Sequence, residues 1–109
     1  MSYESKSTTE IGNWRERLLR IADELHNCET PQEYLALLLA YMDEINEIQR
    51  DRGLNENFYI RPYWFPSTNM PSLYQLYEIM RNLHLIGLPE LCPSPQQLEK
   101  WIKYKEVIV

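Results

Sequence analysis

The chain has 109 residues, of which 44% are apolar and 25% charged, and its formal net charge is −5. This length supplies one hydrophobic core, and the composition is that of an ordinary folded domain. The negative charge argues against a general affinity for nucleic acid or for an anionic membrane. The two cysteines give no disulfide framework, the first ten residues are polar, and no apolar run could span a bilayer, so a cytoplasmic protein is expected.

The first predicted helix follows a polar stretch, residues 1–9, which lacks apolar periodicity and is predicted to be a disordered tail. A single helical domain then occupies residues 10–109. Its first helix carries a seam of apolar residues in alternating steps of three and four: Ile11, Trp14, Leu18, Ile21, Leu25 and Cys28. Such a seam predicts packing along another helix. That helix is either the next one in the same chain or, in the alternative, a second copy in a homodimer.

The second predicted helix, residues 30–53, has clear start and stop signals. Thr30 and Glu33 form a capping box around Pro31, which suits the first helical position, and Gly53 allows a left-handed end. Its apolar residues form a face wider than a surface helix needs: Tyr34, Leu35, Leu37, Leu38, Tyr41, Met42, Ile45 and Ile48. This helix is therefore predicted to be the central one, packed against more than one neighbour.

A long connection follows, and its residues 58–66, the aromatic segment, have the sequence FYIRPYWFP. Its prolines argue against a helix, and a connection of this length is uncommon unless it is functional or packs on its own side chains. One interpretation has the aromatic side chains complete the core, with Phe58 and Phe65 inward. The other has some of them bind a partner protein, through Tyr59, Arg61, Tyr63 and Trp64. A short strand at residues 58–61 is a further possibility.

The last two predicted helices occupy residues 72–86 and 95–105. Ser72 with Gln75 and Ser94 with Gln97 form capping boxes, and Gly87 ends the first of the two. The pair has some likeness to a helix-turn-helix, in which Gln96 and Gln97 would face bases while Lys100 and Lys103 would face phosphates. The connection is longer than that motif uses, and the charge is negative.

Two sets of side chains suggest metal or acid–base chemistry. His26, Cys28, His84 and Cys92 are residue types that bind zinc, although without the close spacing of a zinc motif. Asp43, Glu44 and Glu47 share a helix, but no facing acidic pair completes a cation site. No nucleophile with its base and orienting group can be assembled either. We therefore predict neither metal, nor cofactor, nor catalysis.

The sequence thus predicts an all-α single domain, bundle-like with four helices, and with a long aromatic and proline-rich connection between helices 2 and 3. Its predicted function is that of a small non-enzymatic regulatory or adaptor module that binds a protein partner through the aromatic segment. The alternative is a DNA-binding regulator that uses the helix-turn-helix-like C-terminal half.

Overall fold

The computed structural model describes the backbone of residues 2–67 and 72–108 and the side chains of residues 13–67 and 72–103. Five α-helices form in this part of the chain: α1 (Ser2–His26), α2 (Pro31–Ala40), α3 (Met42–Asp51), α4 (Leu73–Leu85) and α5 (Pro95–Ile108). Three 3-10 turns also occur there, at Glu56–Phe58, Pro62–Trp64 and Pro89–Leu91. These described residues include no strand, so the all-α prediction is confirmed, and the strand suggested at residues 58–61 is absent.

Helix α1 begins earlier than the sequence predicted. Residues 2–9 are helical, in place of the predicted tail, and Met1 lies outside the described residues. The stretch contains neither proline nor glycine, so nothing in it breaks a helix, whereas its polarity indicates only the lack of an apolar face. The predicted start of the domain at residue 10 therefore does not coincide with the start of the helix.

The seam of α1 is used within the chain. Leu18, Ile21, Leu25 and Cys28 are buried and Trp14 is half-buried, while the side chain of Ile11 lies outside the described residues. Helix α1 packs against α2, α3 and the turn Pro89–Leu91. The predicted intramolecular packing of this seam is therefore confirmed for its described positions.

The second predicted helix is divided into α2 and α3. Tyr41 lies between them with φ −89° and ψ 0°, away from helical values. The helical hydrogen bonds continue on both sides, because the Tyr41 N–H donates to Leu37 and the Ile45 N–H donates to Tyr41, at 2.9 and 2.8 Å. No proline or glycine marks the break. Both halves pack on α1, and the Tyr41 hydroxyl donates to the Glu24 carboxylate at 2.7–2.8 Å.

The predicted helix ends are mostly as expected. The Thr30 hydroxyl accepts the Glu33 N–H at 3.1 Å, and Ser72 and Ser94 accept from Gln75 and Gln97, both at 3.2 Å. Gly53 and Gly87 follow α3 and α4 with φ of 87° and 79°, in the left-handed region that glycine enters without a Cβ clash. These local signals give the ends of the helices correctly.

The C-terminal part of the chain closes over the turn between α1 and α2. The Tyr34 hydroxyl donates to the Leu91 carbonyl at 2.7 Å, and the Trp101 indole N–H donates to the Glu29 carbonyl at 2.8 Å. The rings of Tyr34 and Trp101 lie 6.0 Å apart at 53°. His26 Nε2 donates to the Cys92 carbonyl at 2.9 Å. Bonds between residues far apart in sequence therefore fix this end of the core.

Gln97 is a buried part of the same contact. Its Oε1 accepts the Ser94 N–H at 2.8 Å, which completes the capping box of α5. Its Nε2 donates to the carbonyls of Leu25 and Cys28, at 2.9 and 2.8 Å. The Leu25 carbonyl also accepts the Cys28 N–H at 3.2 Å. Both carbonyls lie at or just beyond the C-terminal end of α1, where the helix itself supplies few donors. One side chain thus begins α5 and satisfies the end of α1.

Replacing Gln97 by alanine is expected to lower the free energy of unfolding by about 2–4 kcal/mol, because a cap is lost and two carbonyls lose a donor. Gln96→Ala is the matched control, since Gln96 is exposed in the same turn of α5 and should cost about 0.5 kcal/mol or less. Urea unfolding followed by circular dichroism measures both values. Equal losses for the two variants would contradict the structure.

Candidate functional site

Two short turns shape the aromatic segment: Glu56–Phe58, which ends at the first residue of the segment, and Pro62–Trp64 within it. The turn Glu56–Phe58 is capped by Asn55, whose side chain accepts the Asn57 N–H at 2.9 Å. The turn Pro62–Trp64 begins with the proline at its first position, where the fixed φ suits a helical turn. The prolines argue against a helix, and no α-helix forms in residues 58–66. Pro62–Trp64 is a single 3-10 turn with extended backbone at Arg61 and Phe65 on either side.

Asn46 of α3 holds the middle of the aromatic segment. Its side-chain amide donates to the Ile60 carbonyl at 3.0 Å and accepts the Ile60 N–H at 2.7 Å. Both backbone groups of Ile60 are thereby satisfied by one side chain, as they would be in a sheet ladder. The Ile60 side chain is buried in the core. The centre of the segment is therefore fixed to α3 by polar and apolar contacts together.

Gln49 of α3 holds the start of the aromatic segment. Its side chain is fully buried, and its Nε2 donates to the carbonyls of Phe58 at 2.9 Å and Ile86 at 3.1 Å. Its Oε1 accepts from Arg52 Nη1 at 2.9 Å. The Arg52 guanidinium also lies 4.2 Å from the centre of the Trp14 ring, a cation–π contact. Gln49 therefore joins α3, the aromatic segment and the end of α4.

The predicted partner-binding residues differ in their exposure. Tyr63 is 82% exposed, whereas Tyr59, Arg61 and Trp64 are half-buried. The Arg61 Nη2 donates to the Glu56 carbonyl at 2.6 Å, so its guanidinium lies back over the first turn. Trp64 packs against the core. The segment thus presents one open tyrosine beside three partly covered side chains.

The two phenylalanines of the segment face inward as predicted. Phe58 and Phe65 are half-buried and pack against the core. Neither side chain has a polar atom that would need a hydrogen-bond partner in the core, which is consistent with this position. The segment therefore both covers the core and presents side chains to solvent.

The residues of the DNA-binding alternative do not form one surface. Gln96, Lys100 and Lys103 are exposed, but Gln97 is only 7% exposed and its amide bonds the end of α1. A side chain committed to two buried carbonyls cannot hydrogen-bond a base edge at the same time. The prediction that Gln97 faces bases is therefore wrong, because it fills the cap and the helix-end contact instead.

Three of the four candidate zinc residues, His26, Cys28 and Cys92, make hydrogen bonds within the fold. The thiols of Cys28 and Cys92 are free and buried, and they donate to the carbonyls of Glu24 and Met80 at 3.7 and 3.6 Å. His84 is exposed. Within residues 13–67 and 72–103, no group of three or more histidine, cysteine or acidic side chains is placed to hold a metal ion.

The acidic side chains Asp43, Glu44 and Glu47 lie largely toward solvent, and Glu47 is 3.7 Å from the Arg17 guanidinium.

Sequence reasoning missed the residues that position the segment. Asn46 and Gln49 stand three apart on α3, and their only sequence signal is polarity beside the apolar positions Ile45 and Ile48. An amide side chain at the edge of an apolar helix face is usually exposed to solvent, so this pattern is weak evidence for a buried hydrogen-bond donor. The backbone partners at Phe58, Ile60 and Ile86 could not be read from it.

The described helices include none long and apolar enough to cross a membrane. Comparison of the chain with protein-family models, with curated proteins and with solved structures gives no significant match.

Alanine variants of neighbouring aromatic residues separate the two roles of the segment. Tyr63→Ala should change the free energy of unfolding by about 0.5 kcal/mol or less, because the ring is exposed. Phe65→Ala should cost about 2–4 kcal/mol, since its ring packs against the core. Thermal and urea unfolding measure both. Strong destabilisation by both variants would mean that both rings pack in the core, and Tyr63 would then not be available to contact a partner.

Alkaline pH is expected to destabilise the fold through Cys92. Burial, with the Glu90 carboxylate nearby, raises the pKa of this thiol from 9.0 to about 11. The unfolded chain therefore loses the proton first, and the contribution present below about pH 9 is lost as the pH rises toward 11. Urea midpoints between pH 8 and 11 should fall less for Cys92→Ala than for the wild type. An identical decline would contradict this assignment.

Proposed function

We propose that this chain is a small non-enzymatic protein-interaction module of a regulatory or adaptor kind, with the aromatic segment as its binding surface. Tyr63 is the central contact in this proposal, and Tyr59, Arg61 and Trp64 surround it. The helices form a bundle-like support, in which α2 and α3 act together as one bent central helix. The partner is a protein, and the module acts in the cytoplasm.

One observation carries the proposal: an 82% exposed tyrosine stands on a backbone that is tied to the helices. The turn Pro62–Trp64 directly follows Ile60 and Arg61, and Ile60 is bonded on both sides by Asn46. A contact residue on an ordered loop has already lost much of the backbone freedom that binding would otherwise remove. Such pre-organisation favours a binding role over an incidental surface position.

The chemistry of the segment supports the same conclusion. Tyrosine, tryptophan and arginine are enriched among the residues that dominate binding energies. Tyr63 can bury its ring against a partner and still hydrogen-bond through its hydroxyl, and the half-buried Trp64 gives a fixed apolar wall beside it. The Arg61 guanidinium has donors beyond the one used by the Glu56 carbonyl. An apolar groove rimmed by carboxylate or carbonyl oxygens would match these groups.

The DNA-binding alternative has weaker support. Gln97 is withdrawn from the recognition face, and the remaining Gln96, Lys100 and Lys103 belong to a chain of net charge −5. Phosphate contacts from two lysines would give weak and strongly salt-dependent binding. A mobility shift on duplex DNA that persists at moderate salt would restore this alternative.

Affinity capture with the immobilised protein tests the proposal, with Leu39→Ala as the control because Leu39 is a large exposed side chain on α2. A specific partner should be retained by the wild type and by Leu39→Ala, and lost with Tyr63→Ala. Titration of the purified partner should give a loss of about 2 kcal/mol or more for Tyr63→Ala. Mass spectrometry identifies the retained protein.

Asn46→Ala adds a second arm to this experiment, because it frees Ile60 without altering the contact residues. It should weaken binding of the same partner, because the segment then loses more conformational freedom when it binds. Retention of every partner by Tyr63→Ala would refute the binding surface. A metal-dependent turnover of nucleotides that Glu44→Gln abolishes would refute the non-enzymatic class.

A further inference from the structure

A second exposed surface lies on α4 and is not part of the aromatic segment. Tyr74 and Leu85 are each 71% exposed, Tyr77 is 44% exposed, Arg81 is exposed, and Glu78 is half-buried between them. These side chains leave large apolar surface open along one face of the helix, and an exposed apolar face is a candidate contact surface. The opposite face of α4 carries the buried residues Leu76, Ile79 and Leu83. This helix therefore has apolar contacts to offer on two sides.

Four residues of this open face form a regular seam. Tyr74, Glu78, Arg81 and Leu85 follow one another in steps of four, three and four. Alternating steps of four and three residues keep side chains close to one line of a helix, as in the contact seam of a coiled coil. The order of the steps reads the same in both directions. An antiparallel copy of α4 would therefore place its own seam residues at the same levels.

We infer that α4 binds α4 of a second copy of this chain in an antiparallel, two-fold symmetric pair. The symmetry axis then passes midway between Glu78 and Arg81. Tyr74 of each protomer meets Leu85 of its partner at the two ends, and Glu78 meets Arg81 at the two central levels. Such an interface is isologous, because each contact occurs twice with the roles exchanged. Tyr77 flanks the central pairs on both sides.

Charge decides between this arrangement and a parallel one. In the antiparallel pair each central level joins a carboxylate to a guanidinium, which favours the contact. A parallel pair would set Glu78 against Glu78 and Arg81 against Arg81, and like charges at such levels oppose association. A polar pair within a seam is also the device that fixes orientation and register in helix pairs. The charges of this seam thus favour a second copy of α4, in the antiparallel direction, as its partner.

The expected dimer is weak. Helix α4 has 13 residues and is about 20 Å long, so a single pair of faces buries less area than a stable interface needs. The central charges must also lose water before they pair, which offsets part of their attraction. A dissociation constant on the order of 10–1000 μM follows. Tyr63 takes no part, so dimerisation and the proposed partner binding can fail independently.

Sedimentation equilibrium of the full chain tests this inference with two charge reversals. E78R and R81E each place like charges at both central levels, so each variant alone should dimerise at least about tenfold more weakly than the wild type. In an equimolar mixture, the paired guanidinium groups of an E78R protomer meet the paired carboxylates of an R81E protomer. The mixture should recover an affinity within about threefold of the wild type.

The matched controls carry the same charge changes on α5, where Glu99 and Lys100 are exposed. E99R and K100E should each dimerise like the wild type, and their mixture should gain nothing. L85E, which keeps the central charges but removes the apolar end contact, should abolish the dimer. Circular dichroism checks that all variants remain helical. A wild type that stays monomeric up to about 1 mM, or a mixture no better than its components, would overturn the inference.

Discussion

A primary amide buried away from water must have its N–H groups and its oxygen paired, and two such amides decide where the segments of this chain meet. Gln49 connects α3 to the aromatic segment and to the end of α4, and Gln97 connects α5 to the end of α1. Among the described residues, no buried side-chain nitrogen or oxygen lacks a hydrogen-bond partner. Apolar packing tolerates small shifts between helices. A buried amide tolerates few such shifts, because its hydrogen bonds are directional and would be broken. The two glutamines therefore give this small core its register.

The aromatic segment depends on the same requirement. Prolines and aromatic rings make such a stretch stiff, but stiffness alone does not place it on the helices. Asn46 and Gln49 do so by bonding its backbone at two points, while Phe58, Ile60 and Phe65 cover the core beneath. The outer side of the segment is then left with side chains that the fold does not consume. The segment thus covers the core on one side and leaves Tyr63 open to solvent on the other.

Predictions from sequence succeeded where the physics is local. Caps at Thr30, Ser72 and Ser94, glycine ends at Gly53 and Gly87, and the apolar seam of α1 are all encoded within a few residues. They failed where a partner far along the chain decides. Nothing near Tyr41 announces the break between α2 and α3, and nothing near Gln97 says that its amide ends α1. The inward phenylalanines and the open Tyr63 of the candidate site could be inferred from their chemistry, but the amides that hold them could not.

The closing contacts of α5 have a consequence for how the chain is made. The carbonyls of Leu25, Cys28 and Glu29 receive their donors from Gln97 and Trp101, 69 to 72 residues later. At synthesis rates of about 5–20 residues per second, those donors are added to the chain roughly 4–14 s after the carbonyls that they bond. Before that, the Cys28 and Glu29 carbonyls have only water as a donor, while the Leu25 carbonyl also has the Cys28 N–H. The apolar faces of α1 and α2 then lack part of their cover. The nascent α1–α2 hairpin therefore exposes apolar side chains. Chaperones and other unfolded chains would first contact the protein in this form.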